Sequence, residues 1–138
     1  MKMTYNFGLL KDRKVGFKFK QDDKDLDLVG IVKNIKKSGS KIKFTFENFI
    51  FEVLETKFIN MKIETKGDVI CFVEQPDKTL ISGIVGFSMF DTYGFPVEIT
   101  KEILENDGFL LDLTGYEIMK NLSKEKSKNT FKSDSAFK

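Results

Sequence analysis

Apolar and polar residues alternate through the first half of this chain, and the spacing turns helical in the second. Val15, Phe17 and Phe19 alternate with Gly16, Lys18 and Lys20, the period of a strand with one buried face. The polar run Gln21-Asp22-Asp23-Lys24-Asp25 interrupts it, and Leu28 to Ile35 reads as a second strand. Lys36-Lys37-Ser38-Gly39-Ser40 is a turn by composition. Ile42, Phe44 and Phe46 then alternate with lysine and threonine, Glu47-Asn48 suits a tight hairpin turn, and Phe49, Phe51 and Val53 continue the alternation on the return strand. After Thr56-Lys57 comes an irregular piece, and Asp68 to Glu74 reads as a last strand. Pro76-Asp77 marks the boundary, since proline ends the strand and the composition changes beyond it.

From residue 80 the apolar positions recur at helical spacing. Ile84, Val85, Phe87, Met89 and Phe90 fit one side of a short helix that Gly94 can end in the left-handed conformation. Pro96 suits the first turn of a second helix, with Glu98 complementing its dipole and Ile99, Ile103 and Leu104 as its buried stripe. Asn106-Asp107-Gly108 stops it. Asp112 is placed to N-cap a third helix running to about Lys128, with Tyr116, Met119 and Leu122 facing in and a polar tail from Asn129. The pattern predicts an α+β protein: a small antiparallel β sheet or partly open barrel over residues 1–76, then a three-helix unit with a polar tail over residues 77–138.

Composition narrows the chemistry. Histidine is absent, which removes Ser-His and Cys-His catalysis and most zinc sites, and Cys71 is the only cysteine, so no internal disulfide can form. Cys71, between Ile70 and Phe72, is expected in the core. Arg13 is the only arginine, leaving almost no capacity for bidentate phosphate clamping. No enzyme activity, cofactor or metal is expected. No run approaches the ~20 apolar residues of a membrane span, and the N-terminus lacks the zones of a signal peptide, so a cytoplasmic location is expected.

The net charge of +2 conceals segmentation. Residues 1–76 carry fifteen basic and eleven acidic side chains, residues 77–117 two and eight, and residues 118–138 six and two. Lys36, Lys37, Lys41 and Lys43 flank a glycine turn and could present cations to nucleic acid from a sheet surface; an exposed polar strand face is the plainer reading. Lys120, Lys124 and Lys128, with Lys126, lie near one another on the third predicted helix and could contact phosphates, or simply face water. Glu98, Glu102, Glu105 and Asp107 form an acidic surface suited to a basic protein partner.

One stretch carries a family resemblance. Phe90-Asp91-Thr92-Tyr93-Gly94-Phe95-Pro96 resembles the DTYGFP signature of alanyl-tRNA synthetases. Ser82-Gly83, Phe87, Val97-Glu98-Ile99-Thr100, Asp112, Gly115-Tyr116 and the closing Ser135-Ala136-Phe137-Lys138 agree at their offsets. Residues 80–137 are thus similar to the end of that family's tRNA-recognition region, whereas nothing before residue 80 shows the likeness. The resemblance implies RNA as a partner, such as a tRNA acceptor stem, and gives the position matching Asp112 a part in reading it; a helix N-cap is the plainer role for the same residue. Read by themselves, Asp91, Tyr93 and Phe95 suit a tight helix–helix corner, with Asp91 capping and the rings buried, rather than a catalytic site. The family's catalytic motifs and editing metal site have no counterpart in these residues, so the expectation is a non-catalytic binding module. The alternative is a small phage- or mobile-element-type protein that docks through its acidic helices on a basic, nucleic-acid-binding host protein and inhibits it. The GIVKNI, turn, KIKFTFENFIFEV arrangement resembles small phage-associated β modules in pattern only.

Overall fold

In the computed structural model, residues 4–135 are described, with side chains up to residue 125. A 3₁₀ turn, Phe7–Leu10, precedes strands β1 (Lys14–Gln21), β2 (Lys24–Ser38), β3 (Lys41–Phe46) and β4 (Ile50–Leu54). One helical turn, α1 (Glu55–Phe58), leads to β5 (Lys62–Lys66) and β6 (Val69–Val73). The rest comprises β7 (Leu80–Ile81), α2 (Gly83–Tyr93), α3 (Val97–Asn106), β8 (Leu110–Leu111) and α4 (Leu113–Ser135).

Six strands form one sheet in the order β4-β3-β2-β1-β6-β5, and two short strands form a second, β7-β8. The architecture is α+β, as the alternating pattern followed by helical spacing indicates. The large sheet is open rather than closed, and it is mixed: β1 runs parallel to β6, while its other neighbours are antiparallel. A parallel pair needs a long crossover, here everything from β2 to β5.

The polar run at 21–25 is a two-residue hairpin turn. Asp22 and Asp23 both take left-handed conformations, and Lys24 already pairs with Gln21. The second strand therefore starts earlier than its apolar residues and runs on to Ser38. A bulge between Val32 and Asn34 shifts its alternation by one residue, so Ile35 faces the core and Lys36 faces out. The piece after Thr56-Lys57 resolves into α1 and β5; Lys-Ile-Glu-Thr-Lys has one apolar residue, Ile63, too few to show a period.

Val15, Phe17, Ile42, Phe44, Phe58 and Phe72 are wholly buried between the sheet and the helical layer. Phe17 stacks on Phe72 at 5.2 Å and meets Phe44 edge-on at 4.9 Å. The same core continues through Met61, Ile63, Ile84, Phe87 and Met119, so residues from both sides of Pro76 are packed together. Cys71 is buried on the opposite face of β6, where burial pushes its thiol pKa up.

Helix α2 ends at Gly94, which is left-handed as expected. In α3 the buried stripe lies elsewhere than expected: Thr100 is buried and Val97 and Leu104 half-buried, whereas Ile99 and Ile103 are 46% and 52% exposed. Pro96 is its N-cap residue, one position before the first turn. Helix α4 passes Lys128 and Asn129 and runs to Ser135.

Candidate nucleic-acid interface

Asp112 is where the structure departs most from an RNA-reading role. Its residue is 4% exposed, and its carboxylate accepts three backbone N–H bonds. Oδ1 takes the N–H of Gly115 at 2.9 Å, the N-cap bond of α4. Oδ2 takes the N–H of Ile63 in β5 at 2.9 Å and of Gly83 at the start of α2 at 3.2 Å. One side chain thus joins the sheet edge to two helix N-termini, where the dipoles favour a negative charge. A group so enclosed offers nothing to a base edge, so the structural role stands and the base-reading role does not fit this geometry. Glycine is required at two of these sites: a Cβ on Gly83 would run into the main chain of Gly115 and Tyr116, and one on Gly115 into the Asp112 carboxylate.

The DTYGFP segment is the reverse case. Asp91 caps no helix, and Phe90, Tyr93 and Phe95 are each about two-fifths exposed. The Asp91 carboxylate is exposed and accepts a bond from the Asn6 side-chain amide at 3.1 Å. Phe90 meets the buried Tyr116 ring edge-on at 6.5 Å, and the Lys120 ammonium lies 5.8 Å from the same ring. Neighbouring residues of α2 thus make two separate contacts: Asp91 with Asn6 of the N-terminal segment, and Phe90 with the Tyr116 ring of α4, which Lys120 also approaches. Asn6 is 85 positions from Asp91, and no local pattern marks it.

The sheet lysines divide. Strand alternation and register put Lys36, Lys41 and Lys43 on the outer face, exposed, with no ion pair among the described residues. Lys37 points to the inner side, where its ammonium lies 3.5 Å from Glu55. Glu55 also accepts the Tyr5 hydroxyl at 2.9 Å. Burial, then that hydrogen bond and charge, push the phenol's pKa well up. Lys37 therefore does not join the other three. Lys14 and Lys18 on β1 and Lys62 and Lys66 on β5 extend the outer face, although Lys14 pairs with Asp68 and Lys62 with Glu64. On α4, Lys120 is half-buried and Lys124 exposed, one turn apart; the side chains of Lys126 and Lys128, and the whole of Ala136-Phe137-Lys138, lie outside the described residues. Glu98, Glu102, Glu105 and Asp107 are all exposed on and after α3, Glu105 within 3.5 Å of Lys101.

A groove of about 660 Å³ opens beside the β1–β2 hairpin, lined by Lys18, Lys20, Lys78, Asp25, Asp27 and Glu74 among others. Burial works against the ionised form of Glu74, but the Lys20 N–H at 2.8 Å and the Lys57 ammonium at 3.1 Å outweigh it and lower the pKa. No cluster of potential metal ligands occurs among the described residues, and none of their helices is long and apolar enough to cross a membrane.

Fold and site together describe an α+β unit whose helical part is bonded into a sheet edge and whose signature segment faces outward. The profile of the family described as tRNA synthetases class II (A) matches residues 66–138, and the chain belongs to that family. Similar relatives include the alanine–tRNA ligase of Borrelia hermsii, 36% identical over 94 residues, covering 66% of this chain and 16% of the relative. That of Carboxydothermus hydrogenoformans is 31% identical over 120 residues, covering 85% and 13%, and that of Alkaliphilus oremlandii 55% identical over 40 residues, covering 29% and 4%. The chain thus spans no more than 16% of the length of these relatives. No solved structure matches it. The likeness reaches well before residue 80, which corrects the expected limit. β5, the strand bonded to Asp112, lies ahead of that limit and is built into the helical unit.

Proposed function

We propose that this chain is a non-catalytic RNA-contact module, binding a tRNA acceptor stem or similarly structured RNA through the surface that carries Asn6, Phe90, Asp91 and Lys120. The observation that carries the reading is the exposed Asp91 of the DTYGFP segment, bonded to Asn6 of the N-terminal segment. A carboxylate accepts and a carboxamide both donates and accepts, so together they can address base edges in the wide minor groove of an RNA helix. Lys120 and Lys124 supply phosphate contacts beside them, and Lys36, Lys41 and Lys43 form a second cationic surface on the sheet. The deciding experiment is fluorescence-detected binding to alanine tRNA and to total tRNA at low and moderate salt. Saturable binding that prefers alanine tRNA and weakens in Asp91→Ala supports the reading; absence of binding at low salt sinks it.

A second reading has its own observation. Ile99 and Ile103 form an exposed apolar row on α3, flanked by Glu98 and Glu102, which suits docking on a basic protein. Such docking would fail in Glu98→Lys/Glu102→Lys, a change that leaves the Asp91 surface intact. Neither phage origin nor inhibition gains support from the relatives.

A further inference from the structure

The large sheet has two edges, and they are finished differently. At β5 the outward Ile63 N–H is taken by Asp112, α4 lies against the strand, and Lys62, Glu64 and Lys66 add charge. At β4 the strand beyond is missing among the described residues. Phe46 N–H donates to Phe49 O and Glu55 N–H to Ser40 O. With the β3–β4 register, this makes Phe49, Phe51, Val53 and Glu55 the residues bonded to β3. Ile50, Glu52 and Leu54 therefore aim their N–H and C=O groups away from the sheet. Their side chains share the outer face, and Ile50 and Leu54 are 60% and 50% exposed. The strand is short and carries one charge, Glu52, but it has no proline, lysine or bulge to guard its free edge.

We infer that β4 pairs with β4 of a second copy of this chain, antiparallel about a twofold axis at Glu52, joining two sheets into one. In that register Ile50 stands opposite the partner's Leu54 on both sides of the axis, and each outward-bonding residue meets another. The two Glu52 carboxylates face each other, which alone would be unfavourable. Lys43 stands across from Glu52 on the same face, one strand away, and Lys36 one strand further, so both lie on the lysine-bearing side of each carboxylate without an ion pair to it among the described residues. A strongly basic peptide in this place would meet those lysines and an acidic one would meet Glu52, whereas the chain's own strand brings apolar residues, Ile50 and Leu54, to both ends of the pairing. The pairing would set the outer lysine faces of two copies side by side. It holds whether or not RNA is the ligand.

Sedimentation velocity on the full chain over roughly 5 to 500 µM, the range suited to a small interface, tests it. Two variants accompany the unmodified protein. Glu52→Pro removes an outward N–H that β3 does not use, so the β3–β4 ladder is retained. The double variant Ile50→Lys/Leu54→Lys places charge on the edge. The unmodified chain should rise from 15.9 kDa towards twice that mass, and both variants, with unchanged far-ultraviolet circular dichroism, should remain at 15.9 kDa. A constant 15.9 kDa for the unmodified chain overturns the pairing, as does a dimer that persists in either folded variant. If one variant fails to fold, the other decides.

Discussion

Asp112 holds three amides, two of them remote in sequence, and its replacement has a defined cost. Asp112→Ala leaves the N–H groups of Ile63, Gly83 and Gly115 without their acceptor. We expect a loss of about 3–5 kcal/mol, read from the urea midpoint. A loss under about 1 kcal/mol would mean that water or the main chain can replace the carboxylate. Asp112→Asn should fall between, because one of its two acceptor atoms becomes a donor facing an N–H. Gly83→Ala forces a methyl group into the main chain of α4 and should cost about 3 kcal/mol. Thr100 goes the other way: its hydroxyl is buried with no partner, so Thr100→Val should raise stability by about 1 kcal/mol in the same urea experiment.

Among the elements, Glu74 gives the fold a dependence on acid. Its carboxylate bridges β1 and α1 through Lys20 and Lys57, and its pKa is lowered in the folded protein. A group lowered on folding stabilises fully above its ordinary value of 4.5, and that contribution is lost as the pH falls through the lower folded value. Thermal melts taken through the acid range should show this loss in the native chain, and Glu74→Gln should flatten that part of the profile. The elements that a reader of the sequence could find are those with enough apolar residues to set a period: β1, β3, β4, β6, α2 and the buried start of α4. β5 escaped because Ile63 is its only apolar residue. The parallel β1–β6 pairing escaped because it joins residues more than fifty apart. α3 misled for a different reason. Ile99 and Ile103 have the spacing of a core stripe, yet Val97, Thr100 and Leu104 are the residues turned inward. The candidate site divides in the same manner. Strand alternation identifies Lys41 and Lys43 as outward, but the bulge before Asn34 decides that Lys36 joins them and Lys37 does not. Asp112 was legible as a cap, and its bonds to Ile63 and Gly83 were not, since no local rule reaches across 49 and 29 positions.

For the whole molecule, charge and surface shape determine what binding should look like. If RNA is held through lysines, affinity should fall steeply with added salt. Lys120→Glu/Lys124→Glu should weaken binding and flatten the salt dependence by about one unit of log–log slope or more, measured by fluorescence titration. Asp91→Ala should leave that slope unchanged while reducing the preference for alanine tRNA, because a carboxylate adds no phosphate contact. Lys36→Glu/Lys43→Glu separates the sheet face from the helical one: a flattened slope there as well would mean that both faces meet the ligand.

The carboxylate that ties β5 to α2 and α4 also sets the order in which the molecule can open. Ile63 N–H lies on a sheet edge, where an amide would ordinarily exchange quickly with solvent hydrogen, yet it is held by a residue of the helical unit 49 positions away. Its exchange therefore requires either the edge strand or the helical unit to come away. If both leave together, the amides of Ile63, Gly83 and Gly115 will exchange at one shared rate, and the whole of the two halves will behave as a single cooperative unit in time. A helical unit that peels off first would instead release Gly83 and Ile63 while the remaining strands of the sheet stay protected.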